Sequence, residues 1–219
     1  MKDQYYNRRE VSNSDLTALY KYLYGPGYVL DLENAFRFGS LLDAMLTEPH
    51  KVDFLARSLD GFVYPVDQWE LAVQMKRKFL EDPFCKQLHQ YSEGQKVSTA
   101  YGMPVHHLGM DFKMDYRCKW DFYAKPTLDI CADLKTTACT TEKQFIESIW
   151  NYQYNRQAAL YMDIEGVDRF MLIGQSKVNL KIFKVAIRRG DEMFKAGKEL
   201  YSELSWLYYT LFNDFKISA

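Results

Sequence analysis

The run Ile130-Cys131-Ala132-Asp133-Leu134-Lys135-Thr136-Thr137 constrains this chain more than any other stretch. Read as a strand, its successive side chains point to opposite faces, so Asp133 and Lys135 share one face and Leu134 points to the other. A carboxylate and an ammonium on an otherwise apolar strand are expensive, because isolated buried charges cost several kcal/mol or shift their pKa. A second acid, Asp121, lies one short hairpin upstream and completes the spacing D-(x)11-D-x-K.

The chain around that run divides by period. Ser12-Asn13-Ser14-Asp15 supplies N-cap chemistry for an amphipathic helix through Leu16, Leu19, Tyr20 and Leu23, which Gly25-Pro26-Gly27 ends. A second helix is expected over 32–47, with Glu48-Pro49 as its stop. A loop holding Asp60-Gly61 leads to a third helix over 66–80, which carries the basic cluster Lys76-Arg77-Lys78, and a fourth near 83–91. The pattern then switches to period 2 over 96–101, 105–114, 117–123 and 128–136, with turns expected at Gly102-Met103-Pro104 and Ala124-Lys125-Pro126. The last two of these pair as a hairpin, with Lys119, Asp121 and Tyr123 on one face, and Asp129, Cys131, Asp133 and Lys135 on another. One long helix is expected over 141–164, with Gln157 and Tyr161 one turn apart on one face. Strands over 169–175 and 180–187 and a closing helix over 191–215 complete the pattern.

No repeat, low-complexity tract or linker interrupts this order. The expectation is a single α/β domain over 1–219, with a mainly helical part over 1–92 and the core over 93–219.

Charge narrows the function classes. Lys plus Arg (28) nearly balance Asp plus Glu (29), so any nucleic-acid contact must be a local patch beside an acidic centre. The 17 tyrosines fit a filled core and leave sugar or base contacts open. No leading apolar segment or long apolar run is seen, so neither secretion nor membrane insertion is expected. Cys85, Cys118, Cys131 and Cys139 form no C-x-x-C pair, which argues against a zinc ribbon and reads as reduced thiols.

Asp121, Asp133 and Lys135 match what phosphodiester hydrolysis requires. Hard carboxylate oxygens suit Mg2+ or Mn2+, a bound metal polarises phosphate and activates water, and a neighbouring lysine can hold that water. The carbonyl of Leu134 offers a further oxygen. Spacing alone is weak support, since cross-strand Asp–Lys pairs are common.

Context adds to it. Asp133-Leu134-Lys135-Thr136-Thr137, with Gln157-Ala158-Ala159-Leu160-Tyr161 about twenty residues later, resembles the PD-(D/E)XK nuclease superfamily. The likeness is closest to its exodeoxyribonuclease VIII and RecB-like branch, with its D-L-K-T-T strand and Q-x-x-x-Y helix. Ser12-Asn13-Ser14-Asp15-Leu16 is similar to that branch's S-x-S-x-L start. Phe38-Gly39-Ser40-Leu41-Leu42-Asp43-Ala44-Met45-Leu46 resembles its F-G-T-x-x-H-x-x-L helix, and the strand pair 170–175 and 182–185 its last two strands.

The resemblance implies a restriction-endonuclease-like core, a mixed central sheet flanked by helices. It implies Asp121 and Asp133 as ligands of Mg2+ or Mn2+, with Lys135 acting on water. Gln157 and Tyr161 would brace the site or touch DNA. The branch's histidine, a further ligand, falls on Asp43, a harder donor equally able to hold Mg2+. Gly39 and Asp43, one turn apart, favour a close backbone approach there.

Weaker candidates remain. Ser12, Ser14, Lys76, Arg77, Lys78 and Arg156 could meet DNA, with Arg8, Arg9, Arg188 and Arg189 behind them. His106 and His107 read as surface or strand histidines, and Cys131 as a core filler. No cysteine follows the Q-x-x-x-Y helix, so no iron–sulfur cluster is expected.

The functional expectation is a metal-dependent deoxyribonuclease, an exodeoxyribonuclease VIII-like exonuclease acting on duplex ends in phage recombination or DNA processing. It would work in the cytoplasm of a bacterium or phage-infected host and release single strand. It could do so within a homo-oligomeric ring and beside a single-strand annealing protein. The alternatives are an endonuclease, a nuclease module of a helicase complex, or a catalytically idle DNA-binding or interaction domain.

Overall fold

A computed structural model of the chain describes residue 5, residues 8–25 and residues 32–212. Helix α1 (Asn13–Tyr24) begins where Ser12 caps it: the Ser12 hydroxyl accepts the Asp15 N–H, and the Asp15 carboxylate accepts the Ser12 N–H at 2.8 Å. Such a cap contributes about 1 kcal/mol. Of the turn expected after it, Pro26 and Gly27 lie outside the described residues. Helix α2 (Leu32–Thr47) leads through a short 3-10 turn to three two-residue strands, β1 (Val52–Asp53), β2 (Ser58–Leu59) and β3 (Phe62–Val63). Asp60 and Gly61, both at positive φ (49° and 83°), turn β2 into β3. Asp-Gly is a strong hairpin signal, and the segment expected as a loop is a tight hairpin. Helices α3 (Val66–Glu81) and α4 (Pro83–Tyr91) follow.

The main sheet holds β4 (Glu93–His107), β5 (Met110–Ala124), β6 (Ile130–Thr137), β7 (Arg169–Ser176) and β8 (Ile182–Arg188), in that spatial order. Only β6 and β7 run parallel. Between them cross α6 (Glu142–Asn151) and α7 (Tyr154–Glu165), while a four-residue α5 (Lys125–Leu128) joins β5 to β6, and α8 (Glu192–Phe212) follows β8. This is the mixed, helix-flanked sheet with a helical N-terminal part that the sequence implies. Among the described residues, no helix is long and apolar enough to cross a membrane.

Four expectations change. The hairpin β4–β5 turns at Leu108-Gly109, both at positive φ, and not at Gly102-Met103-Pro104. The latter is an irregularity inside β4, where the Gly102 N–H donates to Asp115 at 2.7 Å. Asp129 caps α5 in the left-handed region, so it lies outside the strand face it was expected to share. The single helix expected over 141–164 is two, broken at Tyr152-Gln153, where Gln153 takes φ 55°.

The fourth change concerns alternation along β5. Tyr116, Cys118 and Trp120 lie in the core under α7 and α8, whereas Phe122 and Ala124 lie in the opposite core, against α2, α3 and α4. The strand therefore reverses its faces at Asp121, and Tyr123 returns to pack on Trp120. Lys119, Asp121 and Tyr123 do not form the one simple face that period 2 predicts.

The sheet is thus covered on both sides. Helix α7 is buried all round from Asn155 to Met162, wedged between sheet, α1 and α8. A Cβ on Gly197 of α8 would collide with the Asn155 carbonyl, so glycine alone permits that helix approach. All four cysteines are free thiols.

Candidate active site

The site begins where β5 and β6 part. Their ladder covers Phe122–Ala132, Tyr123–Cys131 and Ala124–Ile130. Beyond it, the Asp121 carboxylate takes the Leu134 N–H at 2.8 Å, standing in for the next backbone partner. Further along β5, Val11 exchanges backbone hydrogen bonds with Asp115 and Arg117, both at 2.9 Å. Asp121 thus sits at a fork in the sheet, between β6 on one side and the segment before α1 on the other.

Asp133 and Lys135 project from β6 toward α7. Asp133 is 3% exposed, and its Oδ1 accepts the Gln157 side-chain amide at 2.6 Å. Its Oδ2 lies 2.6 Å from Lys135 Nζ as an ion pair, yet has no donor in hydrogen-bonding geometry. The ammonium also stands 5.0 Å from the centre of the Tyr154 ring, a cation–π contact. Burial alone would pull Lys135 down; Asp133, Tyr154 and Asp121 more than offset it and hold the lysine above its ordinary value. Lys135 is therefore a committed cation.

Asp43 reaches the site from α2, on the other side of the sheet. Its Oδ2 accepts the Gln95 amide at 2.8 Å and its Oδ1 the Thr47 hydroxyl at 3.2 Å. Gln95 takes φ 55° in β4, between the pairs Gly94–Phe122 and Lys96–Trp120, and so falls opposite Asp121. Burial, then the charge of Asp133, raises Asp43 to about 6. Burial, then Asp43 and Asp133, raises Asp121 well above the usual carboxylate range. Gly39 on α2 faces Thr136 of β6, its Cβ position 3.5 Å from the threonine hydroxyl, so this helix passes close to the site strand.

Other expected residues go elsewhere. Tyr161 is buried edge-on against Trp120 (5.2 Å) and Phe170 (6.3 Å), a core role one turn below Gln157. The Leu134 side chain is buried on the α2 side. Ser12 is spent on the cap of α1, while Ser14 is exposed. Lys76 lies over Phe54, and Arg77 and Lys78 pair with Glu81 on the outside of α3. Arg156 is 2% exposed and donates to Asn13, Gln153 and Thr17 at 3.1, 2.7 and 2.5 Å, so it pins α1 to α7 and meets no solvent. His106 pairs with Asp111 at the surface, and His107 lies against Trp206.

Two residues that the sequence did not single out belong to the site, Gln95 and Tyr154. The helix break before Tyr154 carries no glycine or proline to announce it, while for Gln95 the adjoining Gly94, whose Cβ position lies 2.9 Å from Thr47, is the one local signal of an irregular strand.

Among the described residues, no three His, Cys, Asp or Glu side chains gather tightly enough to cage a metal by themselves. Mg2+ does not need such a cage, since it keeps several waters and takes one or two protein carboxylates. Asp43 and Asp121, each raised by burial and by neighbouring carboxylates, supply with Asp133 the hard oxygen donors that fit a hydrated hard cation.

Residues 27–193 match the family described as a PDDEXK-like domain of unknown function (DUF3799). No curated protein matches the chain. Among solved structures, the chain is similar to one titled SSO0001, at 10% identity over 92% of this chain and 77% of that one, with a TM-score of 0.42. It is also similar to a phage-related exonuclease from Haemophilus somnus 129PT, at 12% identity over 91% and 95% (TM-score 0.41). An alkaline exonuclease, LHK-Exo, from Laribacter hongkongensis aligns at 12% identity over 96% and 95% (TM-score 0.37). Likenesses this distant bear no weight in the reading of the site.

Proposed function

The chain belongs to the PDDEXK-like family DUF3799, and from that membership and its site we propose that it is a metal-dependent nuclease acting on DNA phosphodiester bonds. The observation that carries the reading is one convergence. Asp121 is tied to Leu134, Asp133 to Gln157 and Lys135, and Asp43 faces them from α2.

Asp43, Asp121 and Asp133 would hold Mg2+ or Mn2+. A bound ion supplies Lewis-acid polarisation of the phosphoryl oxygen and a more acidic water. The chain's own residues do the rest. Gln157 fixes the rotation of Asp133 through Oδ1, while Oδ2 faces the Lys135 ammonium at 2.6 Å. Lys135, beside Asp133 and over the Tyr154 ring, would act as the ammonium donor that orients the attacking water and offsets phosphate charge. Tyr154 walls the ammonium on its π face.

The D-L-K-T-T strand and Q-x-x-x-Y helix support the narrower reading of an exodeoxyribonuclease VIII-like exonuclease on duplex ends. A cytoplasmic setting, a ring and an annealing partner go with that reading. End-labelled linear duplex and closed circular DNA, incubated with Mg2+, Mn2+ or EDTA, test it. Mononucleotide release from linear DNA alone supports the exonuclease; nicking of circles contradicts it.

A further inference from the structure

Two tyrosines beside the site meet only because a helix is broken. In a continuous helix, residues two apart are about 200° apart around the axis and cannot touch. Gln153, at φ 55°, ends α6 and restarts the chain as α7, and the rings of Tyr152 and Tyr154 come within 5.6 Å at a 34° tilt. A non-glycine residue in the left-handed region is strained, and such strain clusters at functional sites. Tyr154 is half-buried with Lys135 over its ring. Tyr152, one ring further out, is 52% exposed. An aromatic step therefore leads from Lys135 to solvent.

We propose that Tyr152, backed by Tyr154, is a stacking platform for an unpaired nucleobase flanking the phosphate that the site engages. The proposal rests on the nuclease reading and adds a substrate class to it. The argument for this occupant is continuity: the platform adjoins Lys135, the β6 ammonium that the nuclease reading sets beside the phosphate. An aromatic ring takes any base by its π face, and this supplies sequence-tolerant affinity for single strands. Bases inside a duplex are already stacked on their neighbours, so the platform selects single-stranded or frayed DNA at the site.

The test uses a short single strand with 2-aminopurine at successive positions from one end, titrated with the whole chain in Ca2+. Tyr152→Leu and Tyr152→Phe are compared with wild type, and Tyr22→Ala, which removes an exposed tyrosine of α1, is the control. Stacking quenches the fluorescence at one position. Tyr152→Leu should lose that quench and weaken binding by about tenfold or more, while Tyr152→Phe and Tyr22→Ala keep both. An abasic nucleotide at that position should abolish the difference between wild type and Tyr152→Leu. Equal affinity and quench in Tyr152→Leu overturn the proposal and leave the nuclease reading standing, as does an equal loss on the abasic strand. Absence of both DNA binding and cleavage in the wild type overturns the two together.

Discussion

Gln95, in a left-handed backbone conformation opposite Asp121, donates its side-chain amide to Asp43 at 2.8 Å and to the Thr47 hydroxyl at 3.1 Å. One side chain thus ties the helix that carries one site carboxylate to the strand pair that carries another. Gln95→Ala should leave Asp43 Oδ2 without its donor, a loss of about 1–3 kcal/mol. Urea unfolding should report that loss, and half-maximal activity should need more Mg2+. Unchanged metal dependence would remove Gln95 from the support of Asp43.

Asp43 is raised from 3.8 to about 6 by burial and then by Asp133. The folded state therefore holds this proton more tightly than the unfolded chain. The resulting stability is full below pH 3.8 and is lost as pH rises through about 6, a change on the order of 2–3 kcal/mol. Asp43→Asn should lack this decline, so in EDTA it should be the more stable protein at pH 8. Added Mg2+ should raise the melting temperature of the wild type more than that of the variant. A metal-free variant that melts lower than wild type at pH 8 contradicts this account.

Lys135 neutralises an Asp133 that is otherwise enclosed. Removing one partner of a buried pair costs about 3–5 kcal/mol. Lys135→Ala should therefore melt well below wild type and lose activity. The double variant Lys135→Met with Asp133→Leu should recover stability but no hydrolysis. Thermal melts and single-turnover cleavage separate the two effects.

Arg156 makes the opposite prediction to a phosphate contact. Its guanidinium, lowered to about 10 by burial, is held by Asn13, Thr17 and Gln153. Arg156→Lys cannot satisfy that fork and should destabilise by roughly 1–3 kcal/mol. The slope of log affinity for DNA against log salt should not change, because no counterion is released there. A slope reduced by about one would place Arg156 on the phosphate backbone.

Much of this was written in local pattern. The alternation around Asp133 and Lys135 gives their shared face, and the Ser12–Asp15 box gives the start of α1. Gly39 faces Thr136 at ordinary contact distance, so the close backbone approach expected there does not depend on glycine. What stayed hidden arises from tertiary conflict with period. Residues 141–164 keep helical spacing through Phe145, Ile149 and Tyr152, and no glycine or proline marks the break at Gln153. The reversal of β5 at Asp121 also has no local mark, since Trp120, Phe122 and Ala124 continue an even-numbered apolar stripe onto two different cores. Gly102 and Pro104 advertise a turn that Leu108-Gly109 makes instead, because the strands stay paired through the irregularity.

The central claim is that Asp121, Asp133 and Lys135 form one hydrolytic centre. The most direct measurement is hydrolysis of linear DNA in Mg2+ by wild type, Asp121→Asn, Asp133→Asn and Lys135→Met, with folding checked by melts. The account predicts metal-dependent cleavage by the wild type, abolished by EDTA and reduced more than a hundredfold, on the scale of lost electrostatic stabilisation, in all three folded variants. Cleavage that persists in folded Asp133→Asn, or a wild type that binds DNA and cleaves none in either Mg2+ or Mn2+, would contradict it.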